Sequence, residues 1–272
     1  MSESKDSPFA EWKLEGRVAL VVGGARHLGH DIASVLASAG ASIVVTSRDS
    51  GAAGRAADHF ASQYGVDALG LAVDVRSPES IESATRAVRD RHGRLDVLVN
   101  NAGGGSGGSI GDFFTRPAED IRRMIETNLT GTMLCSQSFG RLIAEGGSGS
   151  IINVGSIAAL VGRDRRMYED GGVEQQPVDY AAAKAGVVGF TRDLAAYLAP
   201  TGVRANAISP GGFGPRELPP AFVAEYARRT PLGRMGQDGV DLKGAALFLA
   251  SDASAYVTGH NLVVDGGFSS WR

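Results

Sequence analysis

The strongest constraint on this chain is an alternation of two kinds of segment. Short apolar runs recur along it: RVALVV (17–22), SIVVT (42–46), ALGLAV (68–73), LDVLV (95–99), SIINV (150–154), VRANAI (203–208) and NLVV (261–264). Each is too short for a helix and carries Val, Ile or Leu on both faces, as a parallel strand covered on both sides does. Helical patterns fall between them. Ile32, Val35, Leu36 and Ala39 share one face of a helix over 30–39. Ser77-Pro78-Glu79 opens a second over 77–92 with a cap, a proline in the first turn and an acid at the positive helix end. Further helices are expected over 180–199 and 238–251. The alternation predicts a single-domain α/β fold, a doubly wound parallel sheet of about seven strands with helices on both faces.

Residues 1–15 read as a flexible N-terminal tail and 16–272 as the domain, with one long polar interruption, RDRRMYEDGGVEQQ, at 163–176. The chain has 272 residues, 43% hydrophobic and 21% charged, so a sizeable core is within reach and wholesale disorder is excluded. No apolar run approaches the ~20 residues of a membrane helix. A net charge of −3 argues against a nucleic-acid partner, which needs a basic face. MSESKDSPFAEWKLEG has neither a basic start nor an apolar signal core, so a cytoplasmic location is expected. The lone Cys135 reads as a small core residue. No metal-ligand set is apparent.

In such folds ligands bind beyond the carboxyl ends of the strands. After the first strand come Gly23-Gly24-Ala25-Arg26-His27-Leu28-Gly29, which open directly into a helix. Glycines there admit a pyrophosphate to the backbone, and the helix N-terminus favours its charge. A βα turn that binds nothing is the competing reading. The second strand ends Thr46-Ser47-Arg48, without the acid that would accept a ribose 2′-hydroxyl. Arg48, joined by Arg26, suits a 2′-phosphate, so NADP(H) is favoured over NAD(H), although Asp49 follows directly.

Tyr180 and Lys184 stand four residues apart, on one face of a helix. A phenol ionises near pH ~10, and an adjacent ammonium favours the phenolate, which fits Tyr180 for proton exchange with an alcohol or ketone. Ser156, at the end of the SIINV strand, is placed to hydrogen-bond the substrate oxygen. No His and acid are placed to make Ser156 a nucleophile, so hydrolysis is the weaker reading.

Taken in order, these residues resemble the short-chain dehydrogenase/reductase family, from about Lys13 to Phe268. The resemblance rests on the glycine-rich loop, Asp74, Asn100-Asn101-Ala102-Gly103, Asn128, Ser156, Tyr180 with Lys184, Pro210-Gly211 and Asp265-Gly266-Gly267. It implies a Rossmann-type fold and an oxidoreductase acting on CH–OH groups. Tyr180 would be the proton donor or acceptor, and Lys184 would bind the nicotinamide ribose and lower the Tyr180 pKa. Ser156 would orient the carbonyl, and Asn128 would hold a water in a proton relay. Gly23, Arg26, His27, Leu28, Gly29, Ser47, Arg48, Asp74, Val75 and Asn101 to Gly103 would line the cofactor, Asp74 at its adenine. Pro210, Gly211 and backbone groups near Gly212 and Phe213 would lie at the nicotinamide.

Three departures stand out. Val22 and His27 replace a threonine and the middle glycine of the usual loop. Pro215 replaces a threonine. Ser156 and Tyr180 are 24 positions apart, farther than usual, because of the 163–176 run. That run should rim the substrate pocket, its arginines suited to a carboxylate and its acids and glutamines to hydroxyls. A solvated loop is the alternative. Together with SPGGF and DGGFSSW, the run is similar to sugar-acid and polyol members such as gluconate 5-dehydrogenase-like proteins. The expected substrate is a small polar ketone or secondary alcohol. A 3-oxoacyl-thioester reductase and a non-catalytic NADP(H) sensor or scaffold are the alternatives. The resemblance also implies a homotetramer through residues 263–271, with Phe268 and Trp271 at the interface.

Overall fold

The computed structural model describes residues 9–104, 112–214 and 217–271. Seven strands, β1 (Val18–Val22), β2 (Ser42–Ser47), β3 (Ala68–Ala72), β4 (Val97–Asn100), β5 (Gly149–Val154), β6 (Val203–Pro210) and β7 (Asn261–Val264), form one parallel sheet. Its order is β3-β2-β1-β4-β5-β6-β7. The order reverses at β1, whose register sets Val22 beside Asn100 of β4. Helix α1 (His27–Ser38) leaves the sheet there, so the loops after β1 and β4 splay apart and leave a crevice.

Alternation along β1 divides the core. Ala19 and Val21 face a layer containing Ile32 and Leu36 of α1 and, from α9 (Lys243–Ala250), Ala246 and Leu249. Val18, Leu20 and Val22 face the opposite layer, with Ile81 and Val88 of α3 (Pro78–His92) and Phe139 and Leu142 of α5 (Gly131–Glu145). Cys135 is buried in this second layer, its thiol pushed up to about 12 by desolvation. The central strands are covered on both faces. The edges differ from the sequence expectation: no residue of β3 or β7 is fully buried, because an edge strand has a neighbour on one side only.

The helix expected from residue 30 begins at His27, and the one expected over 238–251 is confined to α9, preceded by turns. Helices α2 (Ser50–Tyr64), α4 (Ala118–Ile125), α5 and α8 (Pro220–Arg228) were not separated from their surroundings by periodicity alone. In α2, five alanines and two glycines leave only a weak apolar stripe for such a pattern to reveal. The expected tail also needs correction. Residues 10–12 form a 3-10 turn, Trp12 packs 6.0 Å from Phe248, and Leu14 is fully buried with its N–H on the Ala39 carbonyl. Packing therefore begins before residue 16, because Trp12 and Leu14 close the open end of the α1–α9 layer. Residues 1–8 lie outside the described part. Among the described residues no helix is long and apolar enough to cross a membrane.

Candidate active site

The crevice at the carboxyl edge of β1, β4, β5 and β6 has a volume of about 700 Å³. Its first wall is the loop after β1. Gly23 has φ +74°, a left-handed conformation, and its N–H donates to Thr46 Oγ1 at 3.1 Å. A Cβ on Gly29 would stand 2.3 Å from the Gly23 carbonyl oxygen and 2.4 Å from Asn101 Nδ2. Only glycine lets the helix close on the loop there, so Gly29 serves packing beneath the crevice and is not part of its lining. Asn101 completes the lock by donating from Nδ2 to the Gly23 carbonyl at 2.9 Å. His27 holds φ +54° at the head of α1, the backbone that a glycine would accept without strain, and its exposed side chain lines the crevice with Arg26 and Leu28.

Beyond this loop lie Ser47 and Arg48 at the tip of β2, and Asp74 and Val75 after β3. Asp49, the one acid next to the tip of β2, caps α2: its Oδ1 accepts from the Gly51 and Ala52 N–H groups at 2.8 and 3.2 Å. Asp74 is gripped by Arg76, Nε to Oδ1 at 3.1 Å and Nη2 to Oδ2 at 2.7 Å, which holds its carboxyl below the usual range. Arg26, Arg48 and Arg76 thus all line the crevice. Sequence reasoning missed Arg76, although its place two residues after Asp74 was a usable clue.

The crevice wall also carries the reactive groups. Ser156 follows β5 and caps a 3-10 turn, its Oγ accepting from the Ala158 N–H at 3.1 Å. Helix α7 (Val178–Leu198) brings Tyr180 and Lys184 to the same wall. Lys184 Nζ donates to the Val154 carbonyl at 2.8 Å and lies 5.9 Å from the Tyr180 ring centre. Burial depresses this ammonium to about 8. The Tyr180 phenol is held above its ordinary value, first by desolvation, with the Ser156 hydroxyl and then the Arg163 guanidinium acting the other way. Burial of the phenol sets the direction, and Lys184 is not among the groups that lower it, contrary to the expectation. Asn128 sits in a π-helical turn, Glu126–Thr130, an irregularity that recurs at functional sites. Its Oδ1 accepts from the Gly104 N–H at 2.6 Å and its Nδ2 donates to the Met124 carbonyl at 3.1 Å.

Pro210 and Gly211 line the crevice at the end of β6. Phe213 does not: its backbone bridges to Gly236, and its ring stands where a Cβ on that glycine would lie, 2.9 Å away. Pro215 lies outside the described residues. The 163–176 run folds back on the domain. Helix α6 (Arg166–Asp170) buries Met167 against Phe222, Tyr226 and Met235, and Asp164 pairs with Arg166 and Arg229. One end of the run reaches the crevice as Gln176; the other, Arg163, lies over the Tyr180 ring. Phe268 stacks on Tyr226 at 4.6 Å and so faces inward, whereas Trp271 is 54% exposed.

A loop whose Gly24 and Gly29 have no room for a Cβ, three guanidinium groups in the crevice wall, and a phenol, an ammonium and a hydroxyl in the same wall fit a nicotinamide dinucleotide. The fold and this site define a dinucleotide-dependent oxidoreductase. The family model described as enoyl-(acyl carrier protein) reductase matches residues 23–269. The 3-oxoacyl-(acyl-carrier-protein) reductase FabG of Vibrio cholerae serotype O1 is 36% identical, over 93% of this chain and 98% of its own. A gluconate 5-dehydrogenase from Burkholderia cenocepacia, solved with NADP and tartrate, superposes with a TM-score of 0.86 at 34% identity, covering 96% of this chain and 98% of that one. A 7α-hydroxysteroid dehydrogenase solved with NADH and an oxo bile acid gives 0.83 at 31%, covering 94% and 96%. The chain belongs to the short-chain dehydrogenase/reductase family, oxidoreductases that act on CH–OH groups with NADP(H) or NAD(H).

Proposed function

We propose that the protein uses NADP(H) to interconvert a secondary alcohol and a ketone on a small polar substrate, sugar-like or a sugar acid. The observation that carries this reading is that Gln176 lines the same crevice as Ser156 and Tyr180, which adds a polar side chain to its wall. The cofactor preference is supported by Arg48, by Arg26 and Arg76 beside it, and by the engagement of Asp49 as a helix cap.

When bound, the nicotinamide supplies or accepts the hydride at C4. Ser156 Oγ hydrogen-bonds the substrate oxygen and holds it against the phenol. Tyr180 Oη donates its proton as that oxygen becomes an alkoxide, and takes it back in the reverse direction. A phenol held above its ordinary pKa is protonated at neutral pH, which favours reduction. Lys184 fixes the nicotinamide ribose, and Asn128 anchors the water that re-protonates the phenol. We further assign the protein to the cytoplasm and to a homotetramer, with Val263 and Trp271 at the contact; both are exposed, at 37% and 54%.

A second reading, reduction of a 3-oxoacyl thioester, is favoured by the FabG relatives. The two separate in one assay: NADPH oxidation with 5-keto-D-gluconate, L-sorbose and the thioester acetoacetyl-N-acetylcysteamine. Turnover of either sugar compound above the thioester supports the first reading. Turnover of the thioester alone replaces it with the second.

A further inference from the structure

Arg163 opens the 163–176 run, and its Nη2 donates to the Pro177 carbonyl at 3.0 Å, three residues before Tyr180. Its Cζ lies 5.9 Å from the centre of the Tyr180 ring, and its guanidinium also meets the Tyr168 phenol. The nearby acids are committed elsewhere: Asp164 to Arg166 and Arg229, and Asp179 to Arg116. Among the described residues no carboxylate forms an ion pair with Arg163. Arg165 adds a second positive charge at this corner. Here a partly desolvated cation stands beside the reacting phenol with only neutral partners. Guanidinium groups keep their charge in such places, so an incoming anion that reaches past the crevice wall over the Tyr180 ring meets the N–H donors that Pro177 and Tyr168 leave over, on a fixed, poorly hydrated group.

Gln176 closes the same run. Its Oε1 is buried without a hydrogen-bond partner, while its amide belongs to the crevice wall shared by Ser156 and Tyr180. An orphaned amide oxygen costs stability unless a ligand or an amide rotation satisfies it. A side-chain amide can donate and accept at once, which is what reading a hydroxyl requires.

We propose that Arg163 holds a carboxylate of the substrate while Gln176 reads a hydroxyl, so that the substrate is a small hydroxylated oxo acid whose carboxylate lies a few bonds from the reacting carbon. This rests on the polar-substrate reading and narrows it. A charge-assisted fork of this kind gives a ten- to hundred-fold preference for the acid over its neutral counterpart. The guanidinium also acts electrostatically on the Tyr180 phenol, but that influence would serve every carbonyl substrate alike and predicts no such preference.

Two matched pairs test this. L-Sorbose is 5-keto-D-gluconate with CH2OH in place of the carboxylate, and sorbitol stands in the same relation to D-gluconate. We would measure kcat/KM for the ketone pair with NADPH, and calorimetric binding of the alcohol pair to the NADP-loaded protein, for wild type, Arg163→Gln and Arg163→Lys. The proposal expects the wild type to favour the acid at least ten-fold, mainly through KM, and to bind gluconate more tightly than sorbitol. Arg163→Gln should remove most of the preference, and Arg163→Lys, with charge but no fork, should keep part of it. Binding of NADPH and the melting temperature report whether each variant is folded. Equal use of the two ketones, equal binding of the two alcohols, no binding of gluconate, or a preference that survives Arg163→Gln would overturn the carboxylate site. Turnover of L-sorbose in those cases would leave the polar-substrate reading standing. Turnover of acetoacetyl-N-acetylcysteamine alone would remove both.

Discussion

Lys184 Nζ donates to the main-chain carbonyl of Val154 at 2.8 Å, and so ties helix α7, which carries Tyr180, to the end of strand β5. The ammonium is buried with a neutral partner, and its pKa falls from 10.5 to about 8. Between these values the unfolded chain binds more protons than the folded one, so stability from this group rises as pH rises through that window. At pH 7 the buried charge costs the fold about 3 kcal/mol. Lys184→Met should therefore melt higher than wild type at pH 7, lose that advantage by pH 10, and show little turnover. Thermal melts of both proteins across this range check it.

Tyr180→Phe deletes the proposed proton donor and little else. Turnover should fall by about 10²- to 10⁴-fold, while NADPH binding, followed by nicotinamide fluorescence, survives. Because the phenol titrates above its ordinary value, wild-type reduction should decline only at high pH and oxidation should gain there. A joint loss of turnover and binding in the variant would mean that Tyr180 has another role.

Arg48→Asp places an acid at the tip of β2 while leaving the Asp49 cap intact. Its carboxylate would repel a 2′-phosphate and accept from a 2′-hydroxyl. NADPH should weaken by about ten-fold or more, and NADH should gain on it. A wild type that already prefers NADH would remove the phosphate role of Arg48.

His27→Gly tests why an imidazole sits where the backbone is left-handed. The strain of a non-glycine residue at φ +54° is about 1 kcal/mol, so the variant should melt about 2–4 °C higher. If the side chain contacts the cofactor phosphates, NADPH and NADH should both bind less tightly, and by a similar factor. Unchanged binding of both would leave His27 as a tolerated strain.

Arg116 and Asp179 form a buried pair, Asp179 directly preceding Tyr180 in the chain, with Nε and Nη2 lying 3.1 and 3.0 Å from Oδ2. Their side chains are 1% and 6% exposed. Arg116→Met strands the carboxylate and should destabilise by about 3–5 kcal/mol in urea unfolding. Adding Asp179→Leu should recover much of that loss, because the uncompensated charge goes with it.

The order of strands and helices could be read directly from the chain, because burial on two faces imposes Val- and Ile-rich runs and amphipathic stripes whatever the partner. Gly23, Tyr180 and Lys184 could be singled out for a similar reason: a phosphate turn and a phenol–ammonium pair each need particular residue types at short, fixed spacings, whereas Ser156 was marked by its place at a strand end and Asn101 only by the family resemblance. Side-chain partnerships across the fold leave no such local trace. Three-dimensional packing alone decided that Asp49 would cap a helix, that Arg76 would clamp Asp74, and that Phe268 would turn inward onto Tyr226. It also decided that Leu14 would close the core, and that a polar run with no periodicity would bring Arg163 over Tyr180 and Gln176 into the crevice. Those contacts join residues by direction and distance, which depend on how helices α6, α7 and α8 pack together, and spacing along the chain does not carry that information.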